Sequence, residues 1–186
     1  TNIIGTSNLL EIISKIKKQI SVLITTTDKV YKNYEKKKSF KENDNLGGTD
    51  PYSASKAATE ILCNYYQFKF LNTNKLITIA RSGNVIGGGD FSKDRIFPDI
   101  YRSIKHNQNL QIRKLQSVRP WQHVLEPLFG YIKTVEFSFK KKIKPDVFNY
   151  GPNYQKILSV KSILNLVKLE YPSLKYEVVK TNFYES

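Results

Sequence analysis

The feature that most constrains the fold of this chain is a short apolar run at residues 20–26. The run reads Ile-Ser-Val-Leu-Ile-Thr-Thr and is rich in β-branched side chains, which favour a strand. Because it is nearly continuous in apolar residues, it is typical of a strand buried on both faces of a parallel sheet. Apolar residues at helical spacing over residues 3–17 predict a helix directly before it. A helix followed by a buried strand indicates an α/β fold.

The rest of the chain continues this alternation of helices and strands. Residues 32–50 are polar and predict a surface loop. Asp50 and Pro51 then predict a helix that runs to about Leu71, because Asp is a favoured N-cap and Pro suits the first turn. The remaining predicted elements are strands at 76–80, 110–112, 147–150 and 175–179, helices at 98–105, 125–140 and 160–169, and a glycine-rich loop at 81–90.

The chain is strongly basic, which raises nucleic acid and anionic membranes as partners. Its 30 basic and 16 acidic residues give a net charge of +14. Only five of the basic residues are Arg, the lysines are spread over the whole sequence, and no base-reading motif accompanies them. The two densest lysine runs, 36–38 and 140–142, are interpreted as solvated charge. We therefore expect neither nucleic acid nor a membrane as the partner.

Cysteine use and hydropathy narrow the class of protein further. Cys63 is the only cysteine, which excludes an intrachain disulfide framework and a cysteine-rich metal site. We expect it to be a small buried apolar residue. No apolar run approaches the ~20 residues of a membrane span, and no signal-like segment opens the chain. The sequence therefore favours a soluble protein of the reducing cytoplasm, without a metal site.

A tyrosine followed four residues later by a lysine is a candidate catalytic pattern. On a helix the two side chains share a face, so the ammonium can favour the phenolate and lower the pKa of the phenol from about 10. Such a phenolate can act as a general base for a hydroxyl group. The spacing alone selects no pair, because 12 Tyr and 25 Lys in 186 residues predict about 1.6 such pairs by chance. The pattern begins at six tyrosines: Tyr34, Tyr52, Tyr65, Tyr101, Tyr171 and Tyr176.

Local context selects Tyr52 and Lys56 from these pairs. They stand in the first turns of the capped helix among small residues, where a ligand can approach closely. They also follow the predicted strand that ends in Thr-Thr-Thr-Asp-Lys at residues 25–29. The carboxyl edge of an open α/β sheet is where such folds place their sites. The pair and this strand end form the predicted catalytic group.

Four stretches resemble the extended short-chain dehydrogenase/reductase enzymes, and within them the nucleotide-sugar 4,6-dehydratases. They are residues 27–31 (Thr-Asp-Lys-Val-Tyr), 50–56 (Asp-Pro-Tyr-Ser-Ala-Ser-Lys), 81–90 (Arg-Ser-Gly-Asn-Val-Ile-Gly-Gly-Gly-Asp) and 119–124 (Arg-Pro-Trp-Gln-His-Val). Lys29 after Thr-Asp resembles the CDP-glucose type, whereas the dTDP-glucose type has Glu there. The resemblance implies the C-terminal part of a Rossmann-like doubly wound parallel sheet plus a small α/β substrate-binding lobe. It assigns residues 1–90, approximately, to the second half of the NAD-binding Rossmann domain, with the catalytic residues. Residues 91–186 are assigned mainly to the substrate lobe, interleaved with the first.

The resemblance also implies a role for each residue of the catalytic group. Tyr52, helped by Lys56, would take the proton of the hexose 4-hydroxyl while hydride passes to NAD, and both residues would contact NAD. Thr27 would hydrogen-bond the same sugar oxygen. Asp28 would protonate the departing 6-hydroxyl, and Lys29 or a group near it would assist loss of the C5 proton. The implied reaction is dehydration of CDP-glucose to CDP-4-keto-6-deoxyglucose, in deoxysugar and surface polysaccharide biosynthesis.

The implied roles of Asp28 and Lys29 oppose their ordinary pKa values. The acid must be protonated and the base neutral, although the free groups prefer the reverse near pH 7. Two neighbours on an extended strand end would also point to opposite sides. We therefore favour the role of Asp28 as the acid over the role of Lys29 as the base. An electrostatic contact with cofactor or substrate explains the presence of Lys29 equally well.

Three further residues are expected to bind the nucleotide sugar. The resemblance places Asn84 near the sugar diphosphate, although a tight turn also explains the glycines around it. Arg95 and Arg119 are candidate contacts to the diphosphate or nucleotide, because a guanidinium presents a planar fork to phosphate oxygens. We favour Arg119 of the two. Neither His106 nor His123 is assigned a catalytic role.

The chain lacks the glycine-rich turn that a dinucleotide fold needs after its first strand, since none of its nine glycines supplies Gly-x-Gly-x-x-Gly. We therefore expect an N-terminally truncated enzyme that by itself binds NAD weakly or not at all and has no turnover, and that is a homo-oligomer at full length. Two alternatives remain. One is another nucleotide-sugar epimerase or dehydratase, where an epimerase shares Tyr52 and Lys56 without needing Asp28. The other is an inactive remnant or a sugar-nucleotide binding module.

Overall fold

The computed structural model describes residues 1–32, 39–140, 146–152 and 158–179. The α-helices of these residues are α1 (Asn2–Lys15), α2 (Pro51–Lys69), α3 (Ile96–His106), α4 (Leu125–Phe139) and α5 (Val160–Glu170). Their strands are β1 (Ile20–Thr25), β2 (Lys75–Ser82), β3 (Val85–Ile86), β4 (Leu110–Ile112), β5 (Val118–Arg119), β6 (Gln122–His123), β7 (Val147–Tyr150), β8 (Leu158–Ser159) and β9 (Tyr176–Val178). A 3-10 helix covers Asp28–Val30.

The chain forms two compact units, and each is built from two separate segments. Among the described residues, the first unit comprises those of Thr1–Gly83 and Leu125–Gly151, and the second comprises those of Asn84–Val124 and those from Pro152 to Val179. The chain therefore leaves the first unit after β2 and returns to it with α4 and β7.

The first unit is built on a parallel sheet in the strand order β1-β2-β7. Ile20–Thr25 of β1 pair with Lys75–Ala80 of β2, and Ile79–Ser82 pair with Val147–Tyr150. The helices α1 and α2 pack together, and α4 contacts β1 and β2. The core of this unit contains eight buried side chains: Leu10, Ile13, Ile24, Cys63, Tyr66, Phe70, Ile77 and Ile79. The predicted α/β class and parallel sheet are confirmed.

The second unit is assembled from α3, α5 and three pairs of short strands. β3 pairs with β6 and β4 with β9, both parallel, and β5 pairs with β8 in the antiparallel sense. The apolar side chains of α3, α5, β4 and the chain after α5 form a separate core: Ile100, Leu110, Ile112, Val160, Ile163, Leu164 and Leu174. This unit therefore has its own hydrophobic interior.

The structure departs from the predicted elements in short segments. The predicted loop at 81–90 instead begins with the last residues of β2 and contains β3. The strands β5, β6 and β8 were not predicted, because two residues show no periodicity and are defined by their partners. Residues 36–38 and 141–142 of the two lysine runs lie outside the described residues.

The described part of the chain bears on the predictions about cysteine, membranes and metals. Cys63 is fully buried in the first core, as predicted, and burial raises the pKa of its thiol to about 12. No helix among the described residues is long and apolar enough to cross a membrane. The same residues contain no group of three or more His, Cys, Asp or Glu side chains that could hold a metal ion.

Candidate active site

The start of α2 is fixed by a side-chain cap, as the sequence predicts. Asp50 is the N-cap, and its Oδ1 accepts hydrogen bonds from the backbone N–H of Tyr52 at 2.8 Å and of Ser53 at 3.0 Å. The side chain of Ser53 completes a capping box with the backbone of Asp50, and Pro51 occupies the first helical position. Tyr52 therefore stands in a first turn whose backbone donors are satisfied.

Tyr52 and Lys56 lie one turn apart at this end of α2, and both are accessible. Half of the Tyr52 side chain is exposed. Lys56 is half-buried, and its Nζ donates a hydrogen bond of 3.0 Å to the backbone carbonyl of Thr25. The ammonium therefore ties α2 to the last residue of β1.

The segment after β1 forms a tight turn in place of the extended strand end expected from the sequence. Thr27 caps the 3-10 helix because its Oγ1 accepts a hydrogen bond of 3.3 Å from the backbone N–H of Lys29. The same hydroxyl donates to Asp28 Oδ1 at 3.2 Å. Thr27 is buried, Asp28 is half-buried and Lys29 is exposed. The expectation of an extended backbone at Asp28 and Lys29 is therefore wrong, although the two side chains still differ in environment.

This turn packs directly on α2. Val30 at its end is fully buried and forms a small apolar cluster with Tyr31 and with Ala57, which follows Lys56 on α2. The contact and the Lys56–Thr25 hydrogen bond bring the five residues of the predicted catalytic group to one end of the first unit.

Beneath this group lies a buried ion pair that was not predicted from the sequence. Arg81 in β2 and Glu60 in α2 are 4% and 1% exposed. Arg81 Nε lies 3.0 Å from both carboxylate oxygens of Glu60, and Nη2 lies 2.5 Å from Oε2. Glu60 Oε1 also accepts a hydrogen bond of 2.5 Å from Oγ1 of Thr26, which is itself buried. The carboxylate is thus fully engaged, as a buried charge requires.

Arg81 extends this network to the residue that follows the 3-10 helix. Its Nη1 donates to the hydroxyl of Tyr31 at 2.7 Å and to the backbone carbonyl of Glu42 at 2.9 Å. The Tyr31 hydroxyl in turn donates to Asn149 Oδ1 of β7 at 2.6 Å, and its ring stacks on Phe40 at 4.7 Å. Burial lowers the pKa of Arg81, but the hydrogen bonds and charge of Glu60 outweigh it, so the pKa is raised. The guanidinium therefore stays charged.

The other predicted site residues belong to the second unit. Asn84 is exposed, and its backbone carbonyl accepts a hydrogen bond of 3.0 Å from Gln122. Arg95 is the N-cap of α3, and its exposed guanidinium forms an ion pair with Asp90 at 3.2 Å. Arg119 lies in β5 opposite Leu158 of β8.

Comparison with known proteins places this arrangement in a family. The sequence model described as GDP-mannose 4,6 dehydratase matches residues 1–154. The chain belongs to the GDP-mannose 4,6-dehydratase family. The resemblance to nucleotide-sugar 4,6-dehydratases stated from the motifs is thereby confirmed.

One relative within this family matches the CDP-glucose type predicted from Lys29. The chain is 40% identical over 172 residues to CDP-glucose 4,6-dehydratase of Salmonella typhimurium, which covers 89% of this chain and 48% of the relative. It is 26% identical to human dTDP-D-glucose 4,6-dehydratase, over 90% of this chain and 46% of the relative. The chain thus spans about half the length of these curated relatives.

Solved structures of the family's fold agree with the architecture described above. The structure of dTDP-glucose 4,6-dehydratase from Bacillus anthracis in complex with NAD superposes with a TM-score of 0.81 at 24% identity, covering 98% of this chain and 56% of that one. UDP-glucuronic acid 4-epimerase from Bacillus cereus, in complex with UDP-glucuronic acid and NAD, gives 0.83 at 23% identity, covering 97% and 55%. The predicted Rossmann-like fold class is confirmed.

Proposed function

We propose that the protein dehydrates CDP-glucose to CDP-4-keto-6-deoxyglucose with the help of bound NAD. The observation that carries the proposal is the placement of Thr27, Asp28 and Lys29 in a turn packed on the helix that presents Tyr52 and Lys56. Membership of the family and the 40% identity to the Salmonella enzyme support the reaction class and the nucleotide.

The base of the first step is Tyr52. A half-exposed phenol in a capped first turn can reach a sugar hydroxyl and accept its proton as a general base, and Lys56 lies one turn later on the same helix. In our proposal Tyr52 takes the proton of the 4-hydroxyl, and Thr27 hydrogen-bonds the same oxygen. The carbon–hydrogen bond at C4 then breaks, and C4 becomes a ketone.

The acid of the second step is Asp28. A ketone at C4 acidifies the hydrogen at C5, so loss of that proton can expel the 6-hydroxyl if the departing oxygen is protonated. In our proposal the carboxylic acid of Asp28 supplies that proton, and water leaves. Lys29, which is exposed, assists at C5 or makes an electrostatic contact with cofactor or substrate. Reduction at C6 completes a reaction with no net oxidation.

The half-exposed phenol of Tyr52 and the half-buried ammonium of Lys56 fit NAD, because these two groups at the carboxyl edge of a parallel sheet can hold its nicotinamide ribose. NAD, when bound, supplies the reversible hydride acceptor that oxidation at C4 and reduction at C6 require. The NAD-bound solved structures of this fold support this choice of cofactor. The chain's own part is to orient the sugar and move its protons.

The second unit is proposed to hold the nucleotide sugar. Arg95 keeps much of its guanidinium exposed beside Asp90, and Arg119 and Asn84 add a second cation and an amide in the same unit. These groups suit a diphosphate. In keeping with the family resemblance, we further propose that the first unit binds the cofactor and that the enzyme is a cytoplasmic homo-oligomer.

The proposal predicts that the full gene product, supplied with NAD, converts CDP-glucose to a 4-keto-6-deoxy product with its characteristic alkaline absorbance. Tyr52→Phe should lower kcat by about 10²- to 10⁴-fold, because it removes the general base. Tyr65→Phe is the matched control, since Tyr65 lies on the same helix, is 57% exposed and also precedes a lysine by four residues. Turnover of dTDP-glucose but not CDP-glucose, or equal activity of the two variants, would contradict the proposal.

A further inference from the structure

We propose that the buried Glu60–Arg81 ion pair positions the catalytic turn at residues 27–30 by holding the residue before it and the residue after it. Glu60 and Arg81 are thus positioning residues that act through Thr26 and Tyr31. This inference rests on the proposed function for its catalytic meaning. Whether the ion pair holds the turn in place can be tested without any substrate.

The ion pair and its helix hold the chain before the turn through two hydrogen bonds. The hydroxyl of Thr26 donates to Glu60 Oε1 at 2.5 Å, and the ammonium of Lys56 donates to the carbonyl of Thr25 at 3.0 Å. Lys56 and Glu60 are four residues apart, so they lie on one face of α2. The helix that carries Tyr52 therefore sets the position of Thr27 from the preceding residue.

The ion pair holds the chain after the turn through the guanidinium. Arg81 Nη1 donates to the Tyr31 hydroxyl at 2.7 Å, and the guanidinium carbon lies 4.7 Å from the centre of the Tyr31 ring. Tyr31 is 4% exposed and is also bonded to Asn149. The four residues of the turn are thus enclosed between two anchors that share one ion pair.

The energetics of buried charge favour a geometric role for this pair. Two charges removed from water lose most of what their attraction gains, so a buried ion pair is weak evidence for stability alone. This pair instead carries directional hydrogen bonds to Thr26, just after β1, and to Tyr31, just after the 3-10 helix. Tyr31 is bonded in turn to Asn149 of β7. Catalytic groups must be held to within about 0.5 Å, which such a network can achieve.

Each anchor can be removed by itself while Glu60 and Arg81 keep their other hydrogen bonds. Thr26→Val removes the Thr26 donor but leaves Glu60 Oε1 bonded to Arg81, and Tyr31→Phe leaves Arg81 Nη1 bonded to the Glu42 carbonyl. Thr78→Val is the matched control for the first, because the Thr78 hydroxyl is buried and has no hydrogen-bond partner among the residues that the structure describes. Tyr66→Phe is the control for the second, since Tyr66 is equally buried but bonds to Glu11.

Two readouts are compared in the full gene product: kcat and KM with CDP-glucose, and amide hydrogen exchange at Lys29 and Val30. Both amides are bonded within the turn, to Thr27 Oγ1 and to the Thr27 carbonyl. We expect Thr26→Val and Tyr31→Phe to lower kcat by roughly ten-fold or more, as a displaced catalytic group does, with KM within about two-fold. Exchange at both amides should rise about ten-fold, and the two controls should change neither readout.

The outcomes separate this inference from the proposed function. Exchange equal to that of the controls would overturn the inference whether or not the protein is active. Faster exchange with an unchanged kcat, or a lower kcat with unchanged exchange, would also overturn it, because the turn would then not link the pair to catalysis. If the wild-type protein does not act on CDP-glucose, the proposed function fails, and faster exchange in the two anchor variants still supports the positioning.

Discussion

At the scale of single residues, Lys56 and Glu60 of α2 form hydrogen bonds with adjacent residues at the end of β1. Lys56 bonds to Thr25, and Glu60 bonds to Thr26. An ammonium has three N–H donors, and the carbonyl of Thr25 takes one of them, which leaves two that can face Tyr52 or a ligand. Glu60, by contrast, is enclosed and gives all its acceptor capacity to Thr26 and Arg81. Lys56 therefore acts at the surface of the site, and Glu60 acts beneath it.

Cys63 provides a prediction about burial. Burial raises the pKa of its thiol from 9.0 to about 12, so at pH 8 its thiolate should be about a thousand-fold scarcer than in the unfolded chain. We expect a soluble thiol reagent to modify the native protein about a thousand-fold more slowly than the urea-unfolded protein. Rapid modification of the native protein would contradict the described core.

The raised pKa of the Cys63 thiol also determines the direction in which stability changes with pH. The folded pKa lies above the unfolded value, so the stability contributed by the neutral thiol is fully present below about pH 9 and is lost as the pH rises toward 12. Cys63→Ala should remove this part of the alkaline loss of stability in urea titrations.

How far single residues could be predicted from the sequence depended on local signals. Tyr52 and Lys56 were separable from five other pairs of equal spacing because Asp50 and Pro51 mark a helix start. Glu60 and Arg81 are 21 residues apart and have no such mark. The available signals were weak: an acidic residue four positions after Lys56, and an arginine directly after the predicted strand at 76–80.

At the scale of elements, the site depends on how α2 begins. The cap by Asp50 and the close approach of the preceding loop both act on the turn that contains Tyr52. Gly48 in that loop has a φ of +147°, and a Cβ placed on it would lie 2.5 Å from the backbone nitrogen of Ala54. The loop therefore contacts the helix backbone at a position where a side chain does not fit.

Removal of the Asp50 cap should lower both the free energy of unfolding and kcat. Asp50→Ala leaves the N–H groups of Tyr52 and Ser53 without their acceptor, which costs about 1 kcal/mol of unfolding free energy. We also expect kcat to fall, because the first turn of α2 frays. Ser159→Ala removes the N-cap of α5 in the second unit and should cost a similar stability with kcat preserved. Equal kcat in the two variants would contradict the link between the cap and Tyr52.

Substitution of two glycines should give opposite signs of stability change. Gly48→Ala should destabilise the protein by about 1–3 kcal/mol, because both its φ and its contact with α2 become strained. Gly5→Ala lies inside α1 with open space around it and should stabilise by about 0.5–1 kcal/mol. Urea unfolding of both variants checks the prediction. A neutral Gly48→Ala would show that the loop does not contact α2.

The longer elements were predictable because they carry their own signals. The periodicity of α1, α4 and α5 and the apolar runs of β1 and β2 place these elements within a few residues of the observed bounds. The sequence predicts an extended backbone at Asp28 and Lys29, whereas the structure has a 3-10 turn there. The turn was not predictable because it depends on the Thr27 side chain and on packing against α2. Short strands such as β5 and β8 are defined by their pairing with each other, which no local sequence pattern indicates.

For the whole molecule, the essential feature is that the chain crosses from one unit to the other and returns. Ile79 of β2 pairs with Val147 of β7, and the second unit's first segment lies between them in sequence. No local pattern signals this long-range pairing, whereas the α/β class follows from the order of elements. Family membership comes from a separate observation, the family model that matches residues 1–154.

The central claim is that the site both oxidises C4 and expels the 6-hydroxyl of one sugar, which a deuterium label tests most directly. The full gene product is incubated with NAD and CDP-glucose deuterated at C4, and the product is examined by NMR. We expect deuterium at C6 of a 4-keto-6-deoxy sugar, because oxidation at C4 is coupled to reduction at C6 of the same molecule. Deuterium returned to C4 of an epimerised hexose that keeps its 6-hydroxyl would contradict the account.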